Sequence, residues 1–263
     1  MKKIFLCLLA LAPCLPLQGE EAIEDNSFLI EEAFNQEVGV VQHVSNLVLT
    51  SEPEDLWAYS FTQEWPFFSQ RHQLSYAIPV VVSQAGGDEG LGDVLLNYRY
   101  QTEAHNGMVL APRLSLILPT GDEEKGLGDG SWGLQANLPM SRPLSSAWIV
   151  HANLGATWLS EVGPATGGSN GQSLTSPFAG LSLIWLAQPR LNVMLEVLTT
   201  RPEELDDQGR SSHHWSTVVS PGLRWALDRG ELQIVPGVAV PITFEQGERT
   251  AGLFLYLSFE HPF

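Results

Sequence analysis

The sequence predicts an all-β fold: an antiparallel transmembrane β-barrel of about twelve strands behind a short N-terminal helix. Three observations predict it. The chain opens with an export signal, apolar and polar side chains alternate from residue 38 onward, and the last strand ends on Phe263. Successive side chains of a strand point to opposite faces, so such alternation builds a wall with one apolar and one polar surface.

Residues 1–19 read as the signal. Lys2 and Lys3 give a positive start, Ile4 to Ala12 an apolar stretch and Gly19 a small residue for cleavage, so the mature chain is expected to begin near Glu20. Pro13 and Pro16 interrupt the apolar run, and no later stretch reaches the roughly 18 apolar residues of a spanning helix, which argues against a helical inner-membrane protein. Both cysteines, Cys7 and Cys14, fall inside the signal, so neither a disulfide nor a cysteine-metal site is expected in the mature protein. A lipid anchor on Cys14 is the alternative, disfavoured by Pro13 where a small residue normally stands.

Residues 20–37 form a separate segment, expected at the periplasmic mouth or as a plug in the lumen. Ser27 suits a helix N-cap, and Ile30, Ala33 and Phe34 follow at helical spacing, which predicts a short amphipathic helix over residues 27–37. Phe28, Ile30, Glu31, Phe34 and Asn35 are its candidate plug contacts. A helix of this length is marginal unless it packs on something.

The barrel is read over residues 38–263. Near the C-terminus Ala251, Leu253, Leu255, Leu257, Phe259, His261 and Phe263 share one face, and Gly252, Phe254, Tyr256, Ser258 and Glu260 the other. This resembles the C-terminal recognition strand of outer-membrane barrels, which implies the barrel-assembly machinery as a partner. Trp148, Val150, Ala152, Leu154, Ala156 and Trp158 alternate with His151, Asn153, Gly155 and Thr157, and the terminal tryptophans suggest interfacial girdles. The same rhythm places strands near residues 38–50, 55–65, 68–82, 91–102, 107–119, 128–140, 145–160, 174–187, 190–200, 212–227, 230–243 and 250–262.

Alternate connections are short, at Pro66–Phe67, Ser141–Leu144, Gln188–Pro189 and Asp228–Arg229. Short turns belong to the periplasmic side, so Gln84–Gly90, Gly121–Leu127, Glu161–Ser173, Arg201–Ser211 and Glu245–Arg249 are expected outside. A mean hydropathy of zero hides such a barrel, because its two faces average out. A soluble β-sandwich shares the alternation. The signal, the charged faces and Phe263 favour the barrel, located in the outer membrane of a Gram-negative cell among its lipid and lipopolysaccharide.

Projection of each strand puts Glu64, Arg71, Asp93, Arg99, Arg113, Glu196, Arg224 and Glu260 inside as lumen-lining candidates. A Lys or Arg facing lipid at mid-bilayer would cost about 2–4 kcal/mol, whereas opposite charges in the lumen can pair. Two readings stay open: a rigid ladder of salt bridges, or a constriction that selects a solute. The net charge of −17 disfavours nucleic acid. Acidic loops carry Asp88 and Glu89, Asp122 to Glu124, and Glu203, Glu204, Asp206 and Asp207; they are solvated surface, or gather divalent cations.

Catalysis finds little footing. Asp206, Asp207, His213 and His214 share one outer loop in the manner of a water-activating site, yet no second carboxylate cluster stands opposite. Ser75 and His72 project to opposite faces of one strand, so they cannot form a hydrolase pair. Neither a cofactor nor a metal is expected.

Several stretches match a known group: FLIEEAFNQEVGVVQH from Phe28, TQEWP from Thr62, SQRHQLSYAIP from Ser69, GLGDVLLNYRYQ from Gly90, APRLSLILPTGD from Ala111 and GLGDGSWGLQANLP from Gly126. The chain thereby resembles the outer-membrane transporter family named for the phenol-degradation meta-pathway. The resemblance implies a channel or transporter for small, hydrophobic or aromatic solutes, the substrate class being inherited from the name. The competing expectation is a structural or surface-interaction barrel with a filled lumen. Within the matching motifs, Gly92–Asp93 and Gly128–Asp129 suggest close backbone approach or, alternatively, a ligand contact through the aspartates.

Overall fold

The alternation becomes structure in twelve antiparallel spans that close on themselves. The computed structural model describes residues 27–50, 56–83, 89–163, 171–206 and 208–263. The signal with Cys7 and Cys14, residues 20–26 of the N-terminal segment, loop residues 84–88 and 164–170, and Asp207 lie outside the described residues.

The spans are β1 (Val40–Thr50), β2 (Leu56–Phe67), β3 (Ser69–Ser83), β4 (Glu89–Leu91 with Val94–Tyr100), β5 (Val109–Leu110 with Arg113–Leu118) and β6 (Gly133–Asn137 with Met140–Ser145). They continue as β7 (Trp148–Val162), β8 (Gln172–Gln188), β9 (Leu191–Thr200), β10 (Ser216–Trp225 with Leu227–Arg229), β11 (Leu232–Ala239 with Ile242–Glu245) and β12 (Glu248–Pro262). Each pairs with its neighbour, and β1 closes on β12 in continuous register from Val40 opposite Pro262 to Thr50 opposite Gly252. Pro112, Pro139 and Pro241 sit in the breaks of β5, β6 and β11, where a ladder bond would need the N–H they lack.

One end of the barrel carries tight turns, at Phe68, Asn106–Gly107, residues 146–147, Pro189–Arg190 and Gly230–Glu231. The start of β1 and the C-terminus meet there, where Phe263 donates its N–H to the Gly39 carbonyl at 2.9 Å. By the usual asymmetry this end is periplasmic. Four expected connections differ, and of these Pro66–Phe67 and Asp228–Arg229 end strands, with the turns following at Phe68 and Gly230–Glu231. Ser141–Leu144 continues a strand, with the turn following Ser145. Glu245–Arg249, expected as an outer loop, tightens to a two-residue turn, since Gln246 and Gly247 both take the left-handed backbone (φ 48° and 90°) that a hairpin of this kind requires.

The outer surface is a belt of exposed Leu96, Leu114, Leu154, Leu181, Leu195 and Leu255. Trp65, Trp148 and Trp185 border it toward the turns, Trp57, Trp132 and Trp158 toward the loops. An apolar belt between aromatic girdles around a polar interior is the surface of a barrel embedded in the outer membrane. On β12, Leu253, Leu255 and Leu257 face out, while Phe254, Tyr256 and Ser258 are buried, the register expected from Phe263.

The interior holds the N-terminal segment. Residues 27–39 enter it as a run of bends and one turn, with no helix, so the expected amphipathic helix over 27–37 is not formed. Wall side chains take up its backbone N–H groups in place of helical i to i−4 bonds, which removes the reason for a helix. We call residues 27–37 the strap.

Candidate functional site: the strapped lumen

The strap begins against β8 to β12. The Ser27 hydroxyl bonds to that of Ser182 at 2.9 Å. The N–H groups of Phe28, Leu29 and Ile30 then converge on one carboxylate oxygen of Glu196 at 3.2, 3.0 and 3.1 Å. Successive N–H groups aimed at one anion form a nest, a concavity of positive partial charge. The Phe28 ring packs on Phe254 and Tyr256 with centroids 5.3 and 5.0 Å away. It occupies the space a Cβ would need at Gly222 and Gly237, and Ile30 does the same at Gly180. The strands are notched where the strap presses on them.

Further along, the strap meets β2 to β7. Glu31 exchanges backbone bonds with the Asn153 amide at 2.9 and 2.8 Å, and its carboxylate pairs with Arg113 at 2.6 Å and accepts from Asn137 at 3.0 Å. Arg113 also donates to Gln135. Arg99, 3% exposed, donates to the Asn35 side chain at 2.8 Å and to the carbonyls of Glu32 and Phe34 at 3.2 and 2.6 Å. Its guanidinium lies 3.6 Å from the Glu32 carboxylate and 3.9 Å from that of Glu64. Ala33 donates to Ser141 at 2.7 Å, Ser141 meets His151 at 2.7 Å, and Phe34 stands edge-on to that imidazole. The Asn35 N–H donates to Gln101 at 2.6 Å and that of Gln36 to Gln73 at 2.8 Å. The Gln36 amide reaches Gln42, which bonds Glu260.

All five plug candidates, Phe28, Ile30, Glu31, Phe34 and Asn35, thus touch the wall. Of the lumen candidates, Arg99, Arg113 and Glu196 bind the strap directly, while Glu64 pairs with Arg99 and Glu260 joins through Gln42. Arg224 is fully buried beside the Phe28 socket. Two candidates lie elsewhere. Arg71 keeps inward parity but stands half-exposed at the periplasmic rim, paired with Glu103. Asp93 ties down the loop between β5 and β6, accepting from the N–H groups of Gly121 and Asp129 at 2.8 and 2.9 Å. A Cβ at Gly128 would run into the Asp93 carboxylate, so close approach explains that glycine. Burial pushes the Asp129 carboxyl up, with Asp93 and Glu123 adding to the effect. The neutral groups Gln42, Gln73, Ser141, His151 and Asn153 were not among the sequence candidates, although inward parity placed His151 and Asn153.

Two cavities flank the strap. One of about 160 Å³ lies toward β1 to β5 and β12, bounded by residues such as Asn46, Thr62, Asn97 and Tyr256. The other, about 390 Å³, lies toward β5 to β9 under Pro202 of an outer loop. On that rim Asp206 closes its own turn by accepting from Gln208 and Arg210, both at 2.9 Å, while His213 pairs with Glu203 and His214 with Glu245. Glu203, Asp206 and His213 are therefore engaged within a hairpin, Glu203–Leu205 against Ser211–His213, and His214 ties its base to Glu245. Among the described residues no three His, Cys, Asp or Glu side chains gather as a metal site.

A family model described as "Putative MetA-pathway of phenol degradation" matches residues 22–259. Among solved structures, an outer-membrane channel from Pseudomonas putida F1 superposes with a TM-score of 0.68 at 16% identity, over 88% of this chain and 98% of that one. The porin NanC gives 0.53 at 6% identity over 85% and 100%, and the porin KdgM, in complex with disordered oligogalacturonate, 0.51 at 6% over 85% and 99%. These likenesses are of fold. A sequence comparison with curated proteins finds no match.

Proposed function

This chain belongs to the family described as "Putative MetA-pathway of phenol degradation", and from that membership we propose that it is a channel for small solutes, gated by the strap. The observation that carries the reading is the way the lumen is closed. Closure comes from a separate segment, hydrogen-bonded to the wall by groups that water can replace, with cavities left beside it. A lumen meant to be solid is more simply filled by long side chains of its own strands.

The wall charges bear on the solute. Arg99 and Arg113 are matched by Glu31, Glu32 and Glu64, so these two arginines offer no uncompensated basic track to a polyanionic saccharide of the kind held by KdgM. Small neutral or singly charged solutes, hydrophobic or aromatic in part, fit this interior better.

Liposome uptake of small neutral and singly charged aromatic solutes tests the proposal, with the full chain and with residues 20–37 deleted. Uptake that rises on deletion is expected; no uptake in either form contradicts a channel. The alternative, a permanently filled barrel acting through its surface, draws support from the buried Arg99 contacts. It predicts that substitutions in the lumen leave permeability unchanged while loss of an outer loop abolishes partner binding.

A further inference from the structure

The larger cavity is lined by unlike groups. Its lining joins the Glu31–Arg113 pair, with Asn137 beside it, to the apolar side chains of Leu29, Phe178 and Leu198. In that lining, the Arg113 Nε and the Asn137 Oδ1 are buried without a hydrogen-bond partner among the described residues. An unsatisfied buried donor costs on the order of 1–3 kcal/mol, more when charged, so the Arg113 Nε gains from a ligand that supplies an acceptor, while the Asn137 Oδ1 would take a donor.

The present occupant of Arg113 is a carboxylate that belongs to the strap. It is also within reach. The Glu31 side chain keeps 28% of its surface and Arg113 14%, against 9% and 4% for Glu32 and Arg99. Arg113 is thus a carboxylate site filled by a tethered group, with apolar side chains lining the same cavity.

We propose that this cavity binds a small amphipathic monocarboxylate, whose carboxylate replaces Glu31 on Arg113 and whose apolar body, about the size of one aromatic ring, lies against Phe178 and Leu198. The inference rests on the channel reading and gives it a substrate class and a trigger. A guanidinium presents parallel N–H donors that suit a free carboxylate in two-point contact. Exchange of one carboxylate for another leaves Arg113 neutralised throughout, and the charge that loses its cation is that of Glu31, the more exposed partner of the pair. The displaced Glu31 passes to the water of the cavity and the strap loses one of its two arginine anchors. A volume near 390 Å³ falls within the range of small-molecule sites, roughly 300–1,000 Å³.

Calorimetry on the purified full-chain barrel in detergent tests this with three probes: benzoate, its uncharged counterpart benzamide, and acetate, which lacks the apolar body. Saturable benzoate binding is expected, with benzamide and acetate at least tenfold weaker. Glu31→Gln removes the internal competitor and should tighten benzoate severalfold; Arg113→Gln should weaken it at least tenfold and leave benzamide unchanged. Should Arg113→Gln not fold, Arg113→Lys keeps the charge without the fork and is expected to bind more weakly than the parent. Benzoate affinity unaltered in the Arg113 variants overturns the proposal, as does failure of benzoate to bind Glu31→Gln. Conductance on strap deletion without benzoate binding refutes the site and leaves the channel standing. Binding without conductance does the reverse.

Discussion

At its Phe28 end the strap is held by shape: a ring set among Phe254, Tyr256, Gly222 and Gly237, with three N–H groups on Glu196. At its Glu31 end it is held by charge, through Arg113 and Arg99. The charged end divides again, because Arg99 is sealed from solvent and Arg113 faces a cavity. The difference teaches where release can start. Apolar sockets and sealed ion pairs respond little to the solution, whereas a partly exposed pair is open to competition and screening.

Arg99→Gln should show the largest effect of the point changes. It removes the cation that faces Glu32 and Glu64, and breaking a buried pair costs about 3–5 kcal/mol. Hydrogen exchange of the strap amides should accelerate by several hundredfold or more, with the barrel strands unchanged; exchange at the parent rate would show that Arg99 does not hold the strap.

Phe28→Ala comes next. Full burial of a Phe sets a ceiling of about 3–5 kcal/mol, and the partly exposed ring of Phe28 should lose less. The amides of residues 28–30 should exchange faster at any ionic strength. Arg113→Gln should cost about 1–2 kcal/mol at low salt and progressively less as salt rises. Equal salt dependence of these two variants would break the distinction between the ends.

The smallest effect concerns the outer hairpin. The Thr175 N–H holds the Glu203 carboxyl below its usual range, and the Arg210 N–H does so for Asp206. A carboxyl depressed in the folded state stabilises above its unfolded pKa and loses that contribution as pH falls through the folded one. Acidification below the ordinary carboxylate range should therefore expose residues 201–215 to proteolysis while the barrel stays intact, and Asp206→Asn should mimic this at neutral pH.

Most of the barrel was legible because lipid and lumen impose opposite demands on adjacent side chains. Leu255 and Tyr256 could be assigned to faces from parity alone, and so could Arg113 and Glu196. Parity gives the face but not the depth, which is why Arg71 passed for a lumenal charge and stands instead at the rim. The strap was misread as a helix for a different reason. Ile30, Ala33 and Phe34 look like one helical stripe, but a segment surrounded on all sides has no single apolar face to satisfy. Ile30 presses on Gly180, Ala33 and Phe34 meet the adjacent Ser141 and His151, and Phe28, Glu31 and Asn35 reach other parts of the wall at Tyr256, Arg113 and Gln101. The neutral partners Gln42 and Gln73 carried no signal, since amides on an alternating strand look like any solvated face.

Gating by the strap requires that the strap, and not the side chains of the wall, closes the lumen. Single-channel conductance in planar bilayers measures this directly, comparing the full chain with one lacking residues 27–37, each shown to fold by its β-sheet circular dichroism. Gating by the strap predicts a nearly silent full chain and steady open-channel steps, larger by at least tenfold, from the deleted form. Traces equally silent in a folded deletion variant would contradict it.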